Sequence, residues 1–184
     1  HSKRVAAREG VSQEFVLEMW QAENKKATDK GTAIHKLLEN YIADGTEVES
    51  YYWLYRAYDK VMMHIVDKYK SVKTENLLHN HEYEIAGTTD LIFEQGNYFT
   101  LSDFKTNKKF RYASDYNEYF QEPISHLSYC EFNDYSLQLS IYAYMYELLS
   151  GKKCKKLVVF HLKDDRFVPI HVNYMKREVI EILE

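Results

Sequence analysis

Gly87-Thr88-Thr89-Asp90-Leu91-Ile92-Phe93-Glu94-Gln95-Gly96-Asn97-Tyr98-Phe99-Thr100-Leu101-Ser102-Asp103-Phe104-Lys105 is the stretch on which the fold turns. Two runs rich in β-branched and aromatic residues flank Gly96-Asn97, a pair suited to the tight turn of a hairpin. Strands are expected over 81–94 and 98–105. A two-residue turn sets Gln95 against Tyr98, and stepping outward brings Asp90 opposite Asp103. Directly opposed residues point to one face, with Cβ atoms roughly 5 Å apart. Lys105, two residues beyond Asp103, shares that face. One side of one hairpin therefore carries two carboxylates and an ammonium group.

Two facing carboxylates repel each other, so a fold that brings them together needs a compensating cation. Two carboxylates, waters and a phosphate oxygen suit Mg²⁺ or Mn²⁺, and the backbone carbonyl of Phe104 offers another hard donor. Such an ion polarises a phosphate and acidifies a bound water. Lys105 is placed to orient or deprotonate that water, or to hold the phosphate. The acidic-x-Lys triplet alone carries little weight. Glu23-Asn24-Lys25 has the same form, on a polar helical face where it reads as solvated charge. The strand setting and the Gly87-Thr88-Thr89-Asp90 segment separate Asp103 from it.

Upstream of the hairpin, apolar spacing predicts helices over 12–26, 29–43 and 51–69, with Gly45 stopping the second. The second helix holds Gly31-Thr32-Ala33-Ile34-His35. A lone helical histidine is more often structural than a ligand, but beside two carboxylates it is a natural further metal ligand. Downstream, 106–133 is polar, irregular and long for a connection, which suits a lid or a substrate arch. Asp134 is expected to cap a helix over 135–149, closed by Gly151. On it, Gln138 and Tyr142 stand four apart on one face, either as packing beside Leu139 and Met145 or as a polar pair reaching substrate phosphate or an attacking water. A second hairpin, 157–162 with 167–172, turns at Asp164-Asp165, and a last helix follows Asn173. This order of elements predicts an α/β fold with helices packed around a sheet.

The chain has 184 residues, enough for a single domain over 1–184 with a real core. Its net charge of −4 excludes a grip on nucleic acid by bulk charge and leaves a local basic patch. Lys108, Lys109 and Arg111, interleaved with Phe110 and Tyr112, suit a single-stranded path or a plain solvated loop. The second basic run, Lys152, Lys153, Lys155 and Lys156, reads as an exposed connection after a helix. Seventeen tyrosines fit either a nucleic-acid groove or a tyrosine-rich core. Two cysteines supply neither a disulfide framework nor a metal set, so a reducing compartment is expected. No run of transmembrane length and no signal peptide is visible, which predicts a cytoplasmic protein with no membrane partner. If the opening His1-Ser2 is foreign to the protein, the natural N-terminus is truncated.

Gly31-Thr-Ala-Ile-His35, Gly87-Thr-Thr-Asp90, Asp103-Phe-Lys105-Thr106 and Gln138-Leu-Ser-Ile-Tyr142 fall in an order that resembles the RecB-like branch of the PD-(D/E)xK nucleases. That branch includes the CRISPR-adaptation nucleases and the mitochondrial genome-maintenance exonuclease. The resemblance covers roughly residues 28 to 160, and four motifs in order are more specific than any one. It implies a restriction-endonuclease-like core, a mixed central β-sheet flanked by α-helices. It implies metal binding by His35, Asp90 and Asp103 with the Phe104 carbonyl, catalysis by Asp90, Asp103 and Lys105, and substrate contact or positioning by Gln138 and Tyr142. The implied activity is a Mg²⁺- or Mn²⁺-dependent deoxyribonuclease, an exonuclease on single-stranded DNA or duplex ends. The setting would be replication, recombination or repair in a bacterial or phage-infected cell. Some relatives hold an iron–sulfur cluster on four cysteines; the two here predict none. No helicase motor is present, so the chain would act alone or as a subunit of a replication or repair assembly. The alternative is an inactive nucleic-acid-binding module or assembly subunit on the same fold. Retention of His35, Asp90, Asp103 and Lys105 together argues against it.

Overall fold

The computed structural model describes residues 1–63, 65, 69 and 71–184. Contacts divide the chain into two compact units, His1–Lys36 and Leu37–Glu184. The first opens with α1, Ser2–Glu9, which ends on Gly10 at φ +68°. It continues into α2, Gln13–Asp44, within which the division falls.

The two helices expected over 12–26 and 29–43 are thus one. Thr28, read as a boundary, donates its hydroxyl to the Asn24 carbonyl inside the helix, and Lys25 pairs with Asp29 at 2.7 Å across the expected break. A Ser/Thr signal starts a helix only when its backbone leaves helical geometry, and nothing here forces that. Gly45 does stop α2: it sits at φ +76° and donates to the Tyr41 carbonyl.

In the second unit, a 3-10 turn (Glu49–Tyr51) leads into α3, Tyr52–Met62. The expected helix 51–69 thus ends early; of its remainder, residues 64 and 66–68 lie outside the described residues. The sheet is β1 (Ser71–Asn80), β2 (Ile85–Gln95), β3 (Tyr98–Lys105), β4 (Lys153–Lys163) and β5 (Arg166–Val172), in spatial order β1-β2-β3-β4-β5. Among the described residues, only β3 and β4 pair in parallel, joined through α4, Glu131–Ser150. The remaining pairs are antiparallel, so the sheet is mixed and flanked by helices as expected. The chain ends in α5, Lys176–Leu183, packed on α4.

β1 was not anticipated. Its pairing with β2 skips Glu75, which sits at φ +44°, so its alternation is broken. At the other edge, β5 carries Pro169 opposite Phe160. Asp164 and Asp165 turn the second hairpin with φ +48° and +55°, as their small polar side chains allow.

One sheet face is sealed by α4, where Ile92, Leu101, Val159, Leu139, Ala143 and Tyr146 form a buried cluster. On the other, the Phe104 ring lies among Tyr58 of α3, Phe160 and Phe167, with centroids 4.9–6.0 Å apart. Two sealed faces explain why β2 and β3 run as continuous buried stretches rather than alternating ones. Among the described residues, no helix is long and apolar enough to cross a membrane.

Candidate active site

The register expected from the Gly96-Asn97 turn is the register found. Gln95 faces Tyr98, and each step holds as far as Leu91 opposite Ser102. There the backbone ladder stops, one residue short of Asp90 and Asp103. The Asp90 side chain takes over: its Oδ2 accepts the backbone N–H of Phe104 at 2.6 Å. A carboxylate thus replaces a ladder carbonyl, and β3 runs on toward β4. Asp90 and Asp103 are both buried, at 7% and 4% exposure. A buried carboxylate is costly without strong partners, and such a charge-assisted bond to a backbone donor is one.

Lys105 supplies another. Its Nζ lies 2.7 Å from Asp103 Oδ2 and donates to Gln138 Oε1 at 3.0 Å. It also sits 4.7 Å over the centroid of the Tyr135 ring. Gln138 in turn donates through Nε2 to the Tyr142 hydroxyl at 3.2 Å. The sequence therefore found both ends of a connected row, Asp103–Lys105–Gln138–Tyr142, running from β3 onto α4.

Three residues at this place were not found from sequence. Tyr135 lies one turn before Gln138 on the same helical face, a spacing that was legible. Burial, followed by the negative charges of Asp134, Glu131 and Asp103, pushes its phenol up to about 12, so it stays protonated. Asp134 was expected to cap α4, but the helix begins at Glu131 with Cys130 at the cap position, and Asp134 stands inside the first turn. Burial raises its carboxyl above the usual range, with Lys105 pulling it down and Glu131 pushing it up. His161 is the β4 partner of Lys105. It is buried, and its Nε2 donates to the Asn107 carbonyl at 2.7 Å, since a carbonyl only accepts. That bond, with the Phe110 ring 5.3 Å away, fixes the chain just past the end of β3.

Along that segment Lys108, Lys109 and Tyr112 are exposed. Arg111 is engaged: its guanidinium holds Glu131 through two bonds of 2.7 Å and Asp115 at 3.0 Å. This clamp joins the two feet of the irregular segment, which further folds on itself through the Tyr119–Ser128 bridge. His35 lies half-buried on α2, in the first unit.

Among the described residues, no three His, Cys, Asp or Glu side chains are gathered for a metal ion. The donor set at the sheet still fits a hard divalent cation. Buried carboxylates, with a backbone carbonyl beside them, are the hard oxygen donors that Mg²⁺ or Mn²⁺ takes.

No family model and no curated protein matches this chain. The likeness is to solved structures. A candidate exonuclease from Eubacterium rectale superposes with a TM-score of 0.51 at 13% identity, over 84% of this chain and 63% of that one. A second structure, of SSO0001, superposes at a TM-score of 0.38 and 19% identity, over 71% of this chain and 53% of that one. The chain thus spans less than two thirds of either. The first likeness supports the fold: a five-stranded mixed sheet flanked by helices, consistent with a restriction-endonuclease-like core.

Proposed function

We propose that the chain is a divalent-metal-dependent nuclease of the PD-(D/E)xK type that hydrolyses DNA phosphodiester bonds. The reading extends to an exonuclease on single-stranded DNA or DNA ends, in bacterial or phage replication, recombination or repair. The observation that carries it is the pairing of Lys105 with Asp103 at 2.7 Å beside buried Asp90, at the point where the β2–β3 ladder stops. A purely structural ion pair has no need of a second buried carboxylate next to it. The Eubacterium rectale structure, described as a candidate exonuclease, is in keeping with this.

Asp90 and Asp103 would hold Mg²⁺ or Mn²⁺, with the Phe104 carbonyl. When bound, the ion supplies charge for the phosphate and a more acidic water. The chain's own residues do the rest. Lys105 holds a proton donor at a fixed point between Asp103 and Gln138, facing the place where a phosphate oxygen would sit. Gln138 restricts that ammonium, and the Tyr135 ring shields it from water on one side. Exposed Lys108 and Lys109 meet the phosphate backbone, and Tyr112 offers a ring for a base to stack on. Arg111 contributes by fastening the segment rather than by touching phosphate.

The test is digestion of end-labelled single-stranded and duplex DNA with Mg²⁺ or Mn²⁺, beside Asp103→Asn and Lys105→Ala. Each substitution is expected to lower the rate by about 10²–10³-fold, the scale of losing one preorganised electrostatic group. Activity that survives both rejects the site. Equal cutting of closed circles and linear DNA rejects the exonuclease part alone. Metal-independent DNA binding without cleavage would favour the inactive binding module.

A further inference from the structure

Gly87 lies on β2, opposite Leu78 of β1, three residues before Asp90. Its φ is outside the left-handed region, so the backbone does not require glycine there. Space does. A Cβ at this position would stand 2.8 Å from Cζ and 2.8 Å from the hydroxyl oxygen of Tyr142, and closer still to Cε1. The Tyr142 ring therefore rests on bare backbone. No rotation of a long flexible side chain relieves such a contact, because the obstructing atoms belong to a rigid ring.

The hydroxyl placed by that contact accepts a hydrogen bond from Gln138 Nε2. An amide that donates from its nitrogen to Tyr142 must present its oxygen the other way, and Gln138 Oε1 is the atom that accepts from Lys105 Nζ. If Tyr142 is displaced, the amide loses the partner that sets its orientation. A flipped amide would turn its NH₂ toward the ammonium, donor against donor.

We propose that Gly87 is a positioning residue for Lys105, acting through the Tyr142 ring and the Gln138 amide. The missing side chain on β2 decides where a hydroxyl on α4 sits, and so which end of an amide faces the lysine of β3. In its activity readout this rests on the nuclease reading; in its geometry it does not.

The experiment follows the side-chain ¹⁵N–¹H amide signals of Gln138, assigned through Gln138→Glu, in parallel with DNA hydrolysis. Gly87→Ala is expected to shift those signals and slow hydrolysis by about 10- to 100-fold, the range for a displacement near 1 Å. Tyr142→Phe keeps the ring on Gly87 and deletes only the hydroxyl, so it reaches the same outcome without a clash and covers the case in which Gly87→Ala fails to fold. In a Tyr142→Ala background, Gly87→Ala should add nothing to either readout. Unmoved Gln138 signals in Gly87→Ala, or in Tyr142→Phe, would overturn the proposal. So would an undiminished effect of Gly87→Ala in the Tyr142→Ala background. If the signals behave as expected while the unmodified protein cuts no DNA, the nuclease reading fails and the positioning role of Gly87 stands.

Discussion

Lys105 has three partners, and each removes a different freedom. Asp103 fixes its charge at 2.7 Å, Gln138 fixes its direction at 3.0 Å, and the Tyr135 ring closes one side at 4.7 Å. The Asp103 side chain is only 6% exposed and that of Lys105 19%, so water cannot replace a lost partner. Lys105→Met is therefore expected to destabilise the fold by about 3 kcal/mol, the cost of removing one member of a buried pair, read as a lower urea midpoint. An unchanged midpoint would mean that Asp103 is satisfied without Lys105. At this scale the sequence was informative where spacing alone sets geometry. The hairpin turn placed Asp90, Asp103 and Lys105, and the four-residue step placed Gln138 with Tyr142. His161 was not legible, because its nearness to Lys105 depends on the parallel register of β3 and β4, which no local pattern encodes. Arg111 read as a phosphate ligand because its carboxylate partner, Glu131, lies across the whole irregular segment.

Among the elements, α4 bears the most. It seals one sheet face, joins the two parallel strands and presents Gln138 to the site. It ends on Gly151 at φ +69°, whose N–H bonds to the Glu147 carbonyl, and nothing lies within 4 Å of a Cβ built there. Space is free but the backbone is left-handed, so Gly151→Ala should cost about 1–2 kcal/mol through strain alone. A lower thermal midpoint with unchanged substrate affinity is the expected result; no loss of stability would mean that the turn relaxes. The end of α4 was legible because glycine is the one residue that takes this conformation freely. Its start was not: Asp134 has the composition of a cap, yet Cys130 and Glu131 begin the helix because Glu131 is held by Arg111. β1 was missed for a related reason. Its polar residues and the kink at Glu75 hide the alternation, and only pairing with β2 makes it a strand. The merging of two expected helices into α2 shows the reverse case, where a plausible stop signal was overridden by hydrogen bonds and an ion pair that span it.

Within the second unit, one polar knot ties the sheet to α4 at the end remote from Lys105. Glu94 of β2 accepts a hydrogen bond from the Tyr146 hydroxyl of α4 and pairs with Lys152 at 3.0 Å and Lys73 of β1 at 3.3 Å. The Tyr146 bond, opposed by burial and helped by the two lysines, holds its carboxyl down at about 2 from an ordinary 4.5. The folded protein then binds fewer protons than the unfolded chain between those values, so stability falls as pH drops through that window. The stabilisation is fully present above about 4.5 and gone near 2. Urea midpoints measured from pH 6 down to pH 2.5 should fall less steeply in Glu94→Gln; an identical acid slope would place the acid-sensitive contact elsewhere. β1 and β5 are the outer strands of the same sheet among the described residues, and neither offers a newcomer an unbroken row of partners. β1 carries Glu75 in a left-handed conformation at φ +44°, outside its ladder, and β5 lacks an amide hydrogen at Pro169. A foreign extended segment meeting either margin finds the template interrupted midway, so growth of the sheet by accretion from other molecules is opposed at those two residues.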